Sequence, residues 1–285
     1  MVQRPLSYSK TNTMSIANSV KTQMKDIFEE YDPHCQVIKI KEEKISKLFS
    51  IHYHTDWAFD YAETCGSFPI FHILSQPEYA YRVTMITVTG EDEGVNGTQD
   101  WNIKSLLDND AIFDNLETVI FPLNDTENHH RRLLTYDDSY DENNGLGLLL
   151  NKCPNLKKLV SPSAPGPLFF DRKEHGLTEL VLQSGYDNQN FIASLSRSDC
   201  FTSLSTLSFR DFAEVQQKEN FDESLTKFDD YLALMNATGL PALKEITLID
   251  TKLKDNEKEL LTEAAKKNGR KLIFTKLGNK YDDFF

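Results

Sequence analysis

A pattern of Leu-x-x-Leu-x-Leu type, with Val, Ile or Phe allowed at the apolar positions, returns along the chain and limits its fold more than any other feature. It reads LETVIF from Leu116 to Phe121, LKKLVS from Leu156 to Ser161, LTELVL from Leu177 to Leu182, LSTLSF from Leu204 to Phe209 and LKEITL from Leu243 to Leu248. Weaker copies are VTMITV from Val83 to Val88 and GRKLIF from Gly269 to Phe274, the second without its first apolar residue. The closing apolar-x-apolar step has the two-residue period of a strand with one face in a core. So short a unit cannot bury that face alone, which requires the copies to stack on one another.

The stretches between copies hold helical patterns, so strand and helix should alternate. In DNQNFIASLSRSD, Phe191, Ile192 and Leu195 fall on one helical face, and in NFDESLTKFDDYLALMNAT so do Phe221, Leu225, Phe228, Leu232 and Met235. LKDNEKELLTEAAKKNG predicts a helix closed by Gly269. Ahead of four strands, in IFDNLETV, KCPNLKKL, CFTSLSTL and GLPALKEI, an apolar or Cys residue precedes turn-forming Pro, Asp, Asn or Ser. Cys153 stands there where Phe113, Phe201 or Leu240 stands in other copies, which reads as a small buried filler.

CPNLKKL (153–159), HGLTELVLQSGYDNQNFIASLSRSDCFTSLSTLSF (175–209) and GLPALKEITL (239–248) carry a resemblance. From about Val83 to Leu277, some two thirds of the chain, the sequence resembles a bacterial cytoplasmic leucine-rich repeat protein with ribonuclease-inhibitor-like alternation of strand and helix. The asparagine that many such repeats place three residues after the last strand Leu survives only as Asn124. The resemblance implies an α/β solenoid, with parallel strands lining a concave face, helices on the convex face, and a role as a binding scaffold without catalytic residues. Residues 83–285 form the repeat domain in this reading. Residues 1–82 form an α+β N-terminal cap, with a helix over Met14–Tyr31 and paired strands in CQVIKIKEE and ISKLFSIHYHT.

Alternation along each strand then names the exposed side chains. Thr118, Ile120, Lys158, Val160, Glu179, Val181, Gln183, Thr206, Ser208, Arg210, Glu245 and Thr247 are the expected protein-binding set, flanked by Thr87, Thr89, Lys271 and Ile273. An apolar row through Ile120, Val160 and Val181 and, further along, Ile249 and Ile273, rimmed by polar residues, suits a protein contact. The net charge of −13 works against nucleic acid, whose phosphates need clustered Lys and Arg, and favours a basic protein partner such as a toxin held by an immunity or inhibitor protein. Acidic clusters at Glu91–Glu93 and Asp137–Glu142 would rim one edge of the sheet and steer that partner.

Other chemistry has weaker support. His52 and His54, two apart on a strand with Asp56 nearby, are the best metal candidates and anchor the alternative reading of a hydrolase or metal-dependent enzyme in the N-terminal region. His129, His130, Arg131 and Arg132 read as a solvated basic loop. GxSxG, Walker A, GxGxxG and HExxH motifs do not occur, and a distant set of Cys153 or Cys200 with His175 is the remaining nucleophile candidate. Four cysteines without a CxxC pair point to reduced thiols. No run of roughly 18 to 20 apolar residues and no apolar leader stands in the chain. The expectation is a cytoplasmic monomer with no membrane contact, no cofactor and no metal.

Overall fold

The computed structural model describes residues 38–42, 49–53, 71, 74–81, 83–88, 97–125, 130–136, 142–185, 187–211 and 225–278. The predicted helix over Met14–Tyr31 lies outside them. The class is α/β. Seven strands, β3 (Met85–Thr87), β5 (Thr118–Ile120), β7 (Lys158–Ser161), β8 (Glu179–Gln183), β9 (Thr206–Arg210), β10 (Glu245–Ile249) and β11 (Lys271–Thr275), form one sheet in chain order. Every pairing in it is parallel, and each strand sits beside the next in sequence. Between strands run α1 (Pro77–Ala80), α2 (Lys104–Leu107), α3 (Gly145–Lys152), α4 (Phe191–Arg197), α5 (Phe228–Asn236) and α6 (Asp255–Lys267).

The internal repetition has a physical counterpart in the turns ahead of the strands. Leu116, Leu156, Leu204 and Leu243 each donate a backbone N–H to the carbonyl three residues back, on Phe113, Cys153, Phe201 and Leu240. All four of those acceptor residues are fully buried, so Cys153 is packed as its position predicts. Each copy is then pinned to the one before it at one shared carbonyl: Glu117 N–H to Thr84, Lys157 to Glu117, Thr178 to Lys157, Ser205 to Thr178, Lys244 to Ser205 and Lys271 to Lys244, with the next N–H joining in the four middle steps. This staircase fixes the register, which a sheet with one buried face must specify closely.

In that register Ile86, Val119, Leu159, Leu180, Leu207 and Ile246 line up across the sheet, all fully buried. Helix residues Leu146, Leu149, Leu195, Leu234 and Leu261 join them in a single core. Between β7 and β8 a 3-10 turn, Pro167–Phe170, takes the place of a helix. Its Phe169 and Phe170 rings pack 5.0 and 6.0 Å from Phe201, and Phe170 lies 6.0 Å from Phe191, so aromatic volume substitutes for a helical face. The C-terminal carbonyls of α5 are closed by Arg270, whose guanidinium donates to Leu234, Met235, Ala237 and Leu240.

Two features depart from expectation. β4 (Gly97–Asn102) and β6 (His130–Thr135) form a second, two-stranded parallel sheet, extended by Ser163, whose hydroxyl accepts the Leu134 N–H at 2.9 Å. The stretch around His130–Arg132 is therefore a strand, and Arg132 is buried where a solvated loop was expected. For α5, the fully buried side is Tyr231, Leu234 and Met235, whereas Phe228 and Leu232 are only partly buried and Phe221 lies outside the described residues. In the N-terminal region β1 (Ile38–Glu42) and β2 (Phe49–Tyr53) pair antiparallel, as their alternation predicts. Among the described residues no helix is long and apolar enough to cross a membrane.

Candidate protein-binding face

Away from the helices the sheet presents two cross-strand rows. One runs Met85, Thr118, Lys158, Glu179, Thr206, Glu245, Lys271; the other runs Thr87, Ile120, Val160, Val181, Ser208, Thr247, Ile273. Their side chains are partly buried or exposed, save Val160 at 8% exposure, which is closed in between Ile120 and Val181 on the flanking strands. The charges of the first row are paired within it. Lys158 meets Glu179 at 2.7 Å and Lys271 meets Glu245 at 3.2 Å, each with its in-register neighbour. The sheet surface itself is thus electrically balanced, and any excess negative charge acting on a partner has to come from elsewhere.

Both side chains of the Lys158–Glu179 pair are 35% exposed, where water screens the attraction. Lys158→Ala is accordingly expected to change the unfolding free energy by no more than about 1 kcal/mol in urea titrations. A larger loss would mean that the pair holds the sheet together, and it would disqualify Lys158 as a surface group available to a partner.

Gln183 and Arg210 correct the expected binding set. They are 5% and 2% exposed, so neither is available on the open face. The cause is that chain segments fold over the carboxyl ends of the strands. After β5, Asn124 crosses β7 and reaches β8: its backbone N–H donates to the Gln183 side-chain oxygen at 2.8 Å, and the Gln183 Nε2 donates back to its carbonyl at 2.7 Å. The Asn124 side chain meanwhile pairs with the backbone of Arg132 in both directions, at 2.6 and 2.9 Å. After β11 the chain crosses β10, where Asp250 Oδ1 accepts the N–H groups of Leu277 and Gly278 at 2.7 and 2.9 Å.

Arg210 joins the two crossings. Its Nε donates to Asp250 Oδ2 at 2.7 Å, Nη1 to the Asn124 carbonyl at 2.9 Å and Nη2 to the Gly278 carbonyl at 2.8 Å. A guanidinium supplies five donors in a planar fork, which suits it to tie three separate acceptors without leaving its charge unpaired. The Asn124 carbonyl, which also accepts the Gln183 side-chain N–H, is the acceptor at the centre. This clamp closes one margin of the open face and limits the accessible part to the two rows.

The acidic rim is likewise revised. Glu142 is buried, and its carboxylate accepts the backbone N–H groups of Leu146, of Asn144 at 3.0 Å and of Gly166 at 2.9 Å, so it closes the first turn of α3. Glu91–Glu93 and Asp137–Asp141 lie outside the described residues.

Among the described residues the nucleophile and metal candidates assemble no site. His175 lies close to both cysteines, but through the backbone: its Nε2 is 3.1 Å from the Cys153 carbonyl and its N–H donates to the Cys200 carbonyl at 2.8 Å. Burial holds the imidazole below its ordinary range, hence neutral, and burial pushes both thiols up, that of Cys153 most. The Ser198 hydroxyl, 2.9 Å from Cys200 Sγ, opposes only part of that rise, and a thiol kept protonated by burial is a poor nucleophile. Among the described residues no group of three His, Cys, Asp or Glu could hold a metal ion. His52 stands on β2 opposite Lys39, while His54, Asp56 and His129 lie outside the described residues.

No family model matches the chain, and no curated protein or solved structure matches it either.

Proposed function

We propose that the chain is a leucine-rich-repeat-type solenoid that binds another protein, without catalysis, through the concave face of its sheet. The observation that carries this reading is the contiguous apolar run Ile120, Val160, Val181 on three neighbouring strands, beside the ionic row of Lys158 and Glu179. An apolar centre with a polar margin on a rigid sheet provides area that needs little ordering on binding. Within this reading the alternation of parallel strand and helix, and the staircase of bonds from copy to copy, belong to the repeat architecture. Residues 1–82 cap the first repeat, with β2 beside β3. An immunity or inhibitor protein that covers a basic toxin is one concrete form. The overall charge of −13 supports it as a long-range attraction, since the face itself is balanced.

The test is capture of a stoichiometric partner from extracts of the native cell by the full chain. Val181→Asp should weaken that capture by about tenfold or more, whereas Arg197→Glu on the exposed side of α4 should leave it unchanged. Retention of the partner by folded Val181→Asp protein, or its loss with Arg197→Glu, would place the contact elsewhere and sink this reading.

A further inference from the structure

The last strand of the main sheet has an open outer edge. Among the described residues no strand pairs with β11 on the side away from β10, whereas at the opposite end β2 lies beside β3. The Lys271 N–H donates to the Lys244 carbonyl at 2.7 Å and the Thr275 carbonyl accepts the Asp250 N–H at 3.0 Å, so residues 271 and 275 turn their backbone groups inward. Alternation along the strand then turns the N–H and C=O groups of Leu272 and Phe274 outward. The core is uncovered at the same place. Leu272 and Phe274 are only partly buried, while Ile246 and Leu248, one strand further in, are fully buried. A row of free peptide groups beside an open apolar margin is a template for pairing with another strand.

We infer that this edge is occupied by a second copy of the chain, through antiparallel pairing of β11 with β11 about a two-fold axis at Ile273. In that register Leu272 stands opposite Phe274 of the other copy, which unites the two outward-facing residues in hydrogen-bonded pairs on either side of the axis. Lys271 stands opposite Thr275, so no like charges meet within the five residues of the strand. The same axis lays α6 antiparallel to its counterpart. α6 has Asp255 and Glu257 in its first turn and Lys266 and Lys267 in its last, and a two-fold axis sets the acidic end of each helix against the basic end of the other. Asn268, the C-cap residue just after α6, bonds to Asn236 of α5 at 3.1 Å, which fixes the inner flank of the helix. By helical spacing Asp255, Thr262 and Lys266 lie on the other flank.

As far as Gly278, the segment after β11 leads away from this edge. Past β11 it crosses β10, and Gly278 meets Arg210 of β9, roughly 10 Å in from the edge at the usual strand spacing. Pairing would give one sheet of twice the width, with both open faces on the same side.

Light scattering and sedimentation equilibrium on the full-length chain test the inference. The expected mass is about twice the 32.7 kDa of one chain. Ile273→Lys sets two ammonium groups face to face at the axis and should give a folded monomer. Lys266→Glu should weaken the dimer by about tenfold or more, and adding Asp255→Lys should restore it, because the swap inverts both members of the cross-axis pair. A full-length monomer at about 100 μM, where even a micromolar interface would be filled, overturns the inference. So does a dimer indifferent to Ile273→Lys. A chain that dimerises only after removal of residues 279–285 overturns it as well, since the tail would then be the occupant of the edge.

Discussion

Arg210→Ala is expected to lower the stability of the folded chain by about 3 to 5 kcal/mol, as much as truncating a large core side chain. The size follows from what the truncation leaves behind. Asp250 Oδ2 loses its 2.7 Å guanidinium partner, with the Asp250 side chain only 8% exposed, and the carbonyls of Asn124 and Gly278 lose a charged donor each. Most of the loss is the cost of a carboxylate kept from water without a counter-charge; the net worth of the ion pair itself is smaller. Arg210→Met combined with Asp250→Asn removes both charges and should cost clearly less than the sum of the two single changes. Asparagine suits position 250, whose backbone lies in the left-handed region at φ 55°. Urea denaturation of the four proteins gives the coupling. Additive effects, or a loss below about 1 kcal/mol for Arg210→Ala, would show that the clamp does not hold the strand ends. A folded but weakened Arg210 variant that also fails to bind a partner would therefore say nothing about the binding face.

How Arg210 came to be expected on that face shows where sequence pattern stops being informative. Alternation along TLSFR puts Arg210 in the same phase as Thr206 and Ser208, and the strand does run Thr206–Arg210. Orientation is local and was legible; cover is not local. Arg210 is buried by Asn124, 86 positions away, and by Gly278, 68 positions away, and nothing in the spacing of either segment announces the crossing. Gln183 is covered by the same residue, and the retained Asn124 was the one available clue. Cys153 lies at the other extreme. Its place in a turn repeated at Phe113, Phe201 and Leu240 was readable because the constraint is a bond over three residues, renewed in each copy. β6 is invisible to the pattern for a third reason. His130–Arg132 carries no apolar alternation, and the strand is set by pairing with β4 and by the Asn124 side chain. Glu142 belongs by sequence to an acidic run expected at the rim of the sheet, yet the N–H groups at the start of the following helix draw it inward.

A second large effect should appear in the dependence of stability on pH, through Asp211. This residue follows β9 directly and is buried; its Oδ2 accepts the Tyr231 hydroxyl at 2.8 Å and the Thr226 N–H at 2.9 Å, which fastens the end of β9 to α5 and to the segment ahead of it. Its Oδ1 has no partner among the described residues. Burial raises the carboxyl from 3.8 to about 6, and the bonds from Tyr231 and Thr226 only partly oppose it. Between those two values the folded chain keeps a proton that the unfolded chain has released. The contribution of Asp211 to stability therefore falls as pH rises from about 4 to about 6 and levels off above, by an amount on the order of 3 kcal/mol. Asp211→Asn keeps an acceptor for Tyr231 and Thr226 but has no proton to lose. The stability of the wild-type chain relative to Asp211→Asn, from urea titrations at pH 4, 5, 6 and 7, should thus decline by about 3 kcal/mol across the series. A difference that is flat with pH would mean that Asp211 is ionised throughout, its second oxygen reached by water or by a group beyond the described residues.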